Sequence, residues 1–164
     1  MKLSDGVEQA IHSALMMNSL SADGVLSAAA LAEFHGVSPS YLLKHLQALS
    51  GAGLVETVPG PKGGYRLARA PEKITLLDIV LAVEGPEPAF RCNEIRRRGP
   101  NPASSRVLKN PCAINVAMLR AEKAWRTELK RTTIADLAAD VAAHDDGSIA
   151  RRGCAFIAAN ERRS

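Results

Sequence analysis

The sequence of 164 residues is poor in aromatic residues and contains no long apolar run. Aromatic residues make up 4% of the chain, and the apolar content is mainly Ala, Leu and Val, which favours helices over a β-sandwich or barrel. No apolar run approaches the roughly 18 residues of a membrane-spanning helix, and residues 1–4 lead into an amphipathic segment rather than a signal peptide. We therefore expect a mainly α protein in the cytoplasm, with no membrane partner.

Cysteine is also scarce. The three cysteines are Cys92, Cys112 and Cys154. An odd number of cysteines in a reducing compartment argues against a disulfide framework. Metal binding, redox sensing and simple burial remain open for these thiols.

Positive charge is present in clusters, although the net charge is only +4 and the pI is about 9.2. The clusters lie at residues 96–98, 120–131, 151–152 and 162–163. This pattern favours a polyanionic partner, with nucleic acid ahead of membrane, while solvated surface charge is the alternative explanation.

The order of elements in the first half of the chain predicts a winged helix-turn-helix domain over residues 1–85. A first helix is expected from about Ser4 to Leu20, and a short second helix from Ser27 to Gly36. Ser38 and Pro39 then open a third helix, because Ser is a good N-cap and Pro is tolerated at the first helical position. The Gly/Pro-rich turn "PGPKGG" separates two short β-patterned segments and predicts a hairpin, and a further helix is expected over residues 75–85.

In such a domain the helix after the turn lies in the major groove and its N-terminal side chains reach the base edges. The predicted base-reading residues are Ser38, Ser40, Tyr41 and Lys44, with His45 and Gln47 as further possibilities. The hairpin, or wing, offers Lys62, Gly63, Gly64 and Arg66 to the DNA backbone. The alternative is a three-helix core with an incidental hairpin.

The second half of the chain divides into three predicted parts. Residues 86–111 contain five prolines and no sustained period, and they are expected to form a loop. Cys112 opens a long helix in which Ile114, Met118, Ala121 and Trp125 recur at helical spacing, a narrow apolar seam that suits a partner helix. Residues 112–143 are therefore expected to form a dimerisation helix and a following helix, and residues 144–164 a loosely ordered tail.

The stretch "GVEQAIHSAL" places Glu8 and His12 four residues apart in the first helix. This spacing sets a carboxylate and an imidazole on the same helix face. Across proteins such a pair is more often a surface ion pair than a ligand set.

Five motifs together resemble the Rrf-two family of bacterial transcription regulators. They are "MKLSDGVEQAIHSAL", "VSPSYLLKHLQALSGAGLV", "GPKGGYRLAR", "ITLLDIVLAVEG" and "TTIADL", and the resemblance extends to about residue 141. It implies a winged-helix homodimer joined by the long helix. A dimer in turn implies a roughly palindromic double-stranded DNA operator.

Many cluster-binding members of this family carry three closely spaced loop cysteines, whereas this loop has only Cys92 and Cys112 at its edges. The chain is more similar to the RsrR-like branch, in which two loop cysteines of one subunit and a Glu and a His of the partner's first helix hold a [2Fe–2S] cluster. The resemblance thus implies Glu8, His12, Cys92 and Cys112 as cluster ligands shared between subunits. Reduction of such a cluster would alter operator affinity.

Two alternatives stay open at this point. Cys92 and Cys112 could form a cluster-free thiol switch in a regulator of the same family. A zinc enzyme built on Glu8, His12 and the cysteines is disfavoured, because the sequence has no His-rich ligand motif, nucleophile elbow or Gly-rich cofactor loop. Cys154 lies beyond the resemblance and is expected to be a free thiol.

Overall fold

The computed structural model describes residues 2–163, which form eight α-helices and four short strands. The helices are α1 Asp5–Asn18, α2 Ala28–His35, α3 Pro39–Gly51, α4 Leu76–Glu84, α5 Ser105–Leu108, α6 Ala113–Arg131, α7 Ile134–His144 and α8 Ser148–Asn160. The strands are β1 Gly24–Val25, β2 Val55–Val58, β3 Gly64–Leu67 and β4 Arg162–Arg163, and 3-10 turns occupy Pro71–Lys73 and Ile95–Arg97. The predicted class, mainly α with a hairpin wing, is confirmed. No helix within residues 2–163 combines the length and apolar character needed to cross a bilayer.

The core lies between α1, α2, α3 and α4. Leu42, Leu46 and Leu49 recur at steps of four and three along α3, and all three are fully buried. They pack in one cluster with Leu31 of α2 and Ile134 of α7. Because each buried Leu removes an entire aliphatic side chain from water, its truncation to Ala should cost about 2–5 kcal/mol.

The wing is an antiparallel hairpin in which β2 pairs with β3, from Val55 opposite Leu67 to Val58 opposite Gly64. The segment after β1 joins it, because Leu26 and Tyr65 exchange backbone hydrogen bonds of 3.1 and 2.8 Å. A Cβ on Gly64 would lie 2.4 Å from the carbonyl oxygen of Leu26. Glycine is therefore required at position 64 by strand packing alone.

Two capping boxes fix the starts of α4 and α7 side by side. In each, a threonine hydroxyl accepts the N–H of an aspartate three residues later, and the aspartate carboxylate accepts the threonine N–H (Thr75 with Asp78, Thr133 with Asp136). The two starts are joined by backbone hydrogen bonds of 2.9 Å, from Leu76 to Thr132 and from Ile134 to Ile74. This junction ties α7 to the DNA-binding domain.

The prediction of a loosely ordered tail over residues 144–164 is wrong for its described part. Asp145 accepts the N–H groups of Ile149 and Ala150, at 3.0 and 2.8 Å, and so caps α8. Ile157 of α8 is buried in the core, and β4 pairs antiparallel with β1. The segment is ordered because it has its own cap and an apolar face that packs on the first domain.

Candidate DNA interface and cysteine site

The N-terminal end of α3 presents an exposed polar face. Ser38, Ser40, Tyr41 and Lys44 are all exposed there, and the hydroxyls of the two serines lie 3.1 Å apart. Pro39 at the first helical position and Ser38 at the N-cap start the helix as the sequence predicts. This face is available to enter a groove.

His45 does not belong to that face. Its ring is buried, contacts the edge of Tyr41 at a centroid distance of 4.5 Å, and leaves so little room that a Cβ on Gly6 would lie 2.3 Å from it. Burial lowers the pKa of His45, Lys44 lowers it further, and Glu84 opposes the shift. The expectation that His45 could read bases is therefore wrong, since its role is to pack α3 against α1.

The wing residues differ in their availability. Lys62 is exposed at the turn, whereas Gly63 and Gly64 are buried. Arg66 forms a bidentate ion pair with Glu56 on the paired strand, with Nε to Oε2 at 2.9 Å and Nη2 to Oε1 at 3.2 Å. Any DNA contact by Arg66 must therefore compete with this cross-strand pair.

The loop between α4 and α6 brings both of its cysteines together. The Sγ atoms of Cys92 and Cys112 and a carboxylate oxygen of Glu94 all lie within 4.8 Å of one another, and all three residues are partly buried. Glu94 has a left-handed backbone with φ of 46°, and its N–H donates to the Cys92 sulfur at 3.4 Å. Sequence reasoning missed Glu94, because its position depends on this local backbone conformation.

Arg96 holds the loop in shape. Its guanidinium donates to both carboxylate oxygens of Glu94, at 2.5 and 2.8 Å, and to the carbonyl oxygen of Asn110 at 3.1 Å. Its own carbonyl oxygen accepts the N–H of Ala103 at 2.8 Å. The sequence marks Arg96 only as part of a basic cluster, and the carboxylate of Glu94 two positions earlier is the signal that points to this ion pair.

The environment of Cys112 favours a thiolate. Cys112 is the N-cap residue of α6, and its sulfur lies at the positive end of that helix. The backbone N–H of Asn115 lowers the pKa of Cys112 most, followed by that of Ile114, the Cys92 thiol and the Arg96 cation, against a smaller rise from burial. A deprotonated sulfur is the form that binds metal and reacts with oxidants.

Glu8 and His12 are exposed on α1 and lie apart from the cysteines of the same chain. They border an apolar cavity of about 410 Å³ that is also lined by Leu76 and Leu137. Across residues 2–163, the one close group of three potential metal ligands is Cys92, Glu94 and Cys112. The four ligands that the sequence suggests are thus two separate pairs within a single chain.

The long helix α6 has no buried residue, yet it carries large apolar side chains. Ile114 is 63% exposed and Met118 43%, and Ala121 is exposed too. Trp125 differs from these, because it is half-buried beside Val80 of α4. Val116 and Leu119 are exposed as well, but helical spacing places them on another side of α6, so the exposed apolar strip consists of Ile114, Met118 and Ala121.

The helix-turn-helix, the wing and the long amphipathic helix α6 define a winged-helix DNA-binding protein with a cysteine pair in its second half. The sequence model of the Rrf2 family, described as an iron-dependent transcriptional regulator, matches residues 3–140. The chain belongs to the Rrf2 family and is a DNA-binding transcriptional regulator.

Individual relatives agree with this assignment. The chain is 42% identical over 85 residues to a putative helix-turn-helix regulator, YwgB of Bacillus subtilis, a match that spans 52% of this chain and 54% of that protein. It is 32% identical to another, YffB of Lactococcus lactis, over 84% of this chain and 87% of that one. The oxidized form of Staphylococcus aureus CymR superposes with a TM-score of 0.61 at 27% identity, covering 84% of this chain and 96% of that one. Because these proteins are regulators, the prediction that the chain is not an enzyme is confirmed.

Proposed function

We propose that this regulator acts as a homodimer whose operator affinity depends on a [2Fe–2S] cluster held between subunits. The observation that carries the proposal is the pair of sulfurs, Cys92 and Cys112, which lie together beside Arg96 at the start of the amphipathic helix α6. The description of the family as iron-dependent supports a metal at this place. We expect the protein to act in the cytoplasm, where bacterial DNA lies.

The donors of one chain fit such a cluster only in part. A [2Fe–2S] cluster needs four ligands, and the loop supplies two thiols. Glu94 is close enough to be a third donor, but both of its carboxylate oxygens are bound by Arg96. The exposed Glu8 and His12 of a partner subunit are the better candidates for the remaining two positions, since exposure leaves them open to a second chain.

The exposed strip on α6 supports the dimer. A 19-residue helix with no buried residue and several exposed apolar side chains is typical of a protein interface. Two subunits related by a twofold axis present two α3 helices. The operator is therefore expected to be pseudo-palindromic, with half-sites about one helical turn apart or a multiple of it.

The cluster would supply a one-electron change of charge at its ligands. A shift of α1 caused by this change of charge would alter the position of α3, the proposed DNA-reading helix. The two helices are in contact, since Gly6 lies two residues before Glu8 and contacts the ring of His45 in α3. A free-energy difference of about 1–3 kcal/mol between the two states would alter operator affinity about 5- to 150-fold.

Spectroscopy of protein purified without oxygen tests this proposal. We expect a visible absorption spectrum that bleaches with dithionite, gives an EPR signal on reduction, and is lost in Cys92→Ser and Cys112→Ser. Glu8→Ala and His12→Ala should shift or weaken it, whereas Glu94→Ala should change it less. Cys154→Ser is the matched control, because Cys154 is an exposed thiol on α8.

DNA affinity of the same preparations completes the test. A duplex selected from a random pool by the wild-type protein should be bound with different affinity by the oxidised and the reduced protein. Equal affinity in both states would contradict the proposal. So would a colourless protein that iron and sulfide cannot reconstitute.

The second candidate is a thiol switch at the same two cysteines. The sulfurs of Cys92 and Cys112 are close, and a relative is known in an oxidized form. Hydrogen peroxide would accept two electrons and two protons from the thiols, which would leave a disulfide and two water molecules. Intact mass spectrometry after peroxide treatment should then show the loss of two hydrogen atoms, abolished by either Cys→Ser change.

A further inference from the structure

The last described segment, residues 145–163, forms an ordered arm that packs on the DNA-binding domain. It lies outside residues 3–140, the part matched by the family. Phe156 of α8 contacts Phe34 of α2 at a ring distance of 4.9 Å. Arg152 lies over the same Phe34 ring at 4.4 Å and donates to its carbonyl oxygen at 2.8 Å. These contacts fix α8 against the first helix of the helix-turn-helix.

The strand that follows α8 pairs with β1, and a single bridge connects the residue after β1 to the wing. In β4, Arg162 pairs with Val25 and Arg163 with Gly24, and the next residue of that chain, Leu26, bridges to Tyr65 in the wing. Glu161 accepts the backbone N–H of Ser21 at 2.6 Å, which anchors the start of the strand. The result places two arginines on β4, which is joined to the wing through β1 and Leu26.

Arg162 is the arginine that reaches the wing turn. Its Nη1 donates to the carbonyl oxygen of Pro61 at 3.2 Å, directly before the exposed Lys62. A guanidinium has five N–H donors, so this contact leaves most of them available. Arg163 is also exposed, but neighbouring residues of a strand point to opposite faces.

We propose that the arm adds a DNA-backbone contact to the wing, with Arg162 binding a phosphate next to the one contacted by Lys62. Arginine suits this role because its planar fork donates two parallel hydrogen bonds to phosphate oxygens. The inference rests on the proposed function, DNA binding by this regulator, and on the contact with the DNA backbone that the sequence predicts for Lys62 of the wing. It adds a contact that the family match does not contain.

The salt dependence of DNA binding tests the contact. For each phosphate neutralised, the slope of log affinity against log salt changes by about 0.9, so Arg162→Gln should reduce its magnitude by about 2 in a dimer that uses both wings. The probes are the fluorescein-labelled duplex selected by the wild-type protein and sheared calf-thymus DNA, measured by anisotropy at several salt concentrations. Arg162→Gln should weaken the affinity for both DNA probes by a similar factor, because phosphates carry no sequence information.

The matched control is Arg163→Gln, which removes the same charge from the opposite face of the strand and should leave the slope close to that of the wild type. Arg162→Lys keeps the positive charge and should keep most of the slope. If Arg162 only stabilised the arm, Arg162→Gln would lower the affinity but would not reduce the slope by the amount expected for a lost phosphate contact. An unchanged slope in Arg162→Gln, or an equal loss in both Gln variants, would overturn the inference.

Lys62→Gln separates this inference from the proposed wing contact. A reduced slope in Lys62→Gln with a wild-type slope in Arg162→Gln would refute the arm contact alone. A wild-type slope in Lys62→Gln would refute the wing contact on which the inference depends.

Discussion

The ring of His12 lies against the ring of His35, with 5.7 Å between their centroids and an angle of 49° between their planes. His35 also meets the ring of Phe34 edge-on at 5.1 Å. Burial, reinforced by His12 and Arg152, lowers the pKa of His35 to about 4, so the ring is neutral near pH 7. His12, a proposed ligand that is exposed on α1, thus contacts His35, the last residue of α2 and part of the helix-turn-helix.

This contact predicts that His35 orients His12. In His35→Ala the imidazole of His12 loses its packing partner and gains rotamer freedom, so the affinity for a reconstituted cluster should fall by about 10-fold or more. His35→Phe keeps an aromatic ring beside His12 and should retain most of the affinity for the cluster. The measurement is the visible absorption per dimer during titration with iron and sulfide, and equal values in the Ala variant and the wild type would contradict the prediction.

A second prediction concerns the pH dependence of stability. Burial lowers the pKa of His45 below its ordinary value of 6.5 in the folded protein, beside Tyr41, Lys44 and Glu84. As the pH falls, the unfolded state therefore takes up the proton first. The contribution of His45 to the free energy of unfolding is present above pH 6.5 and declines as the pH falls below it.

Urea unfolding at about pH 7.5 and about pH 5.5 checks this, since carboxylates hardly titrate in that range. His45→Leu removes the titrating group, so its free energy of unfolding should fall less over the same interval than that of the wild type. The other histidines are common to both proteins and cancel in the comparison. Equal pH dependence in the two proteins would show that His45 is not kept neutral by the fold.

A third prediction tests the exposed strip of α6. Ile114→Glu together with Met118→Glu places charge at the centre of the proposed interface and should weaken dimerisation by about 30-fold or more, or about 2 kcal/mol. Lys123→Glu is the control, because it alters an exposed charge on the same helix without touching the apolar strip. Sedimentation equilibrium gives the dissociation constants, and an unchanged dimer in the double variant would place the interface elsewhere.

A fourth prediction concerns the paired capping boxes. Thr75→Ala removes the acceptor for the Asp78 N–H, and it should lower the free energy of unfolding by about 1 kcal/mol. Thr75→Ser keeps the hydroxyl and should recover most of that loss. Thr127→Ala, in the exposed part of α6, should change stability by less than about 0.5 kcal/mol. Guanidinium unfolding of the four proteins decides whether the cap contributes to the stability of the fold.

Local signals in the sequence predict much of the fold. Ser38 followed by Pro39 marks the start of α3, Gly36 ends α2 with a left-handed φ of 66°, and the turn "PGPKGG" separates the two wing strands. Each signal acts within three or four residues, because caps and turns satisfy backbone groups that lie nearby in the chain. The first helix is likewise within two residues of its predicted bounds.

The candidate sites are less local. Cys92 and Cys112 could be selected from composition and resemblance, but Glu94 joins them only because its backbone is left-handed and Arg96 clamps its carboxylate. His45 carries a polar side chain on the helix that we propose reads DNA, and only the approach of α1 at Gly6 makes it a packing residue.

The amino-acid sequence by itself determined the class of this protein: helices, turns and caps in the order of a winged helix, followed by a cysteine loop and an apolar seam. Only the tertiary structure decided that Arg162 lies beside Pro61, that His12 packs on His35, and that Glu8 and His12 stand apart from the cysteines of their own chain. The physical reason is that periodicity and capping are short-range effects. Contacts between residues up to 140 positions apart depend instead on how the helices pack, which no local pattern encodes.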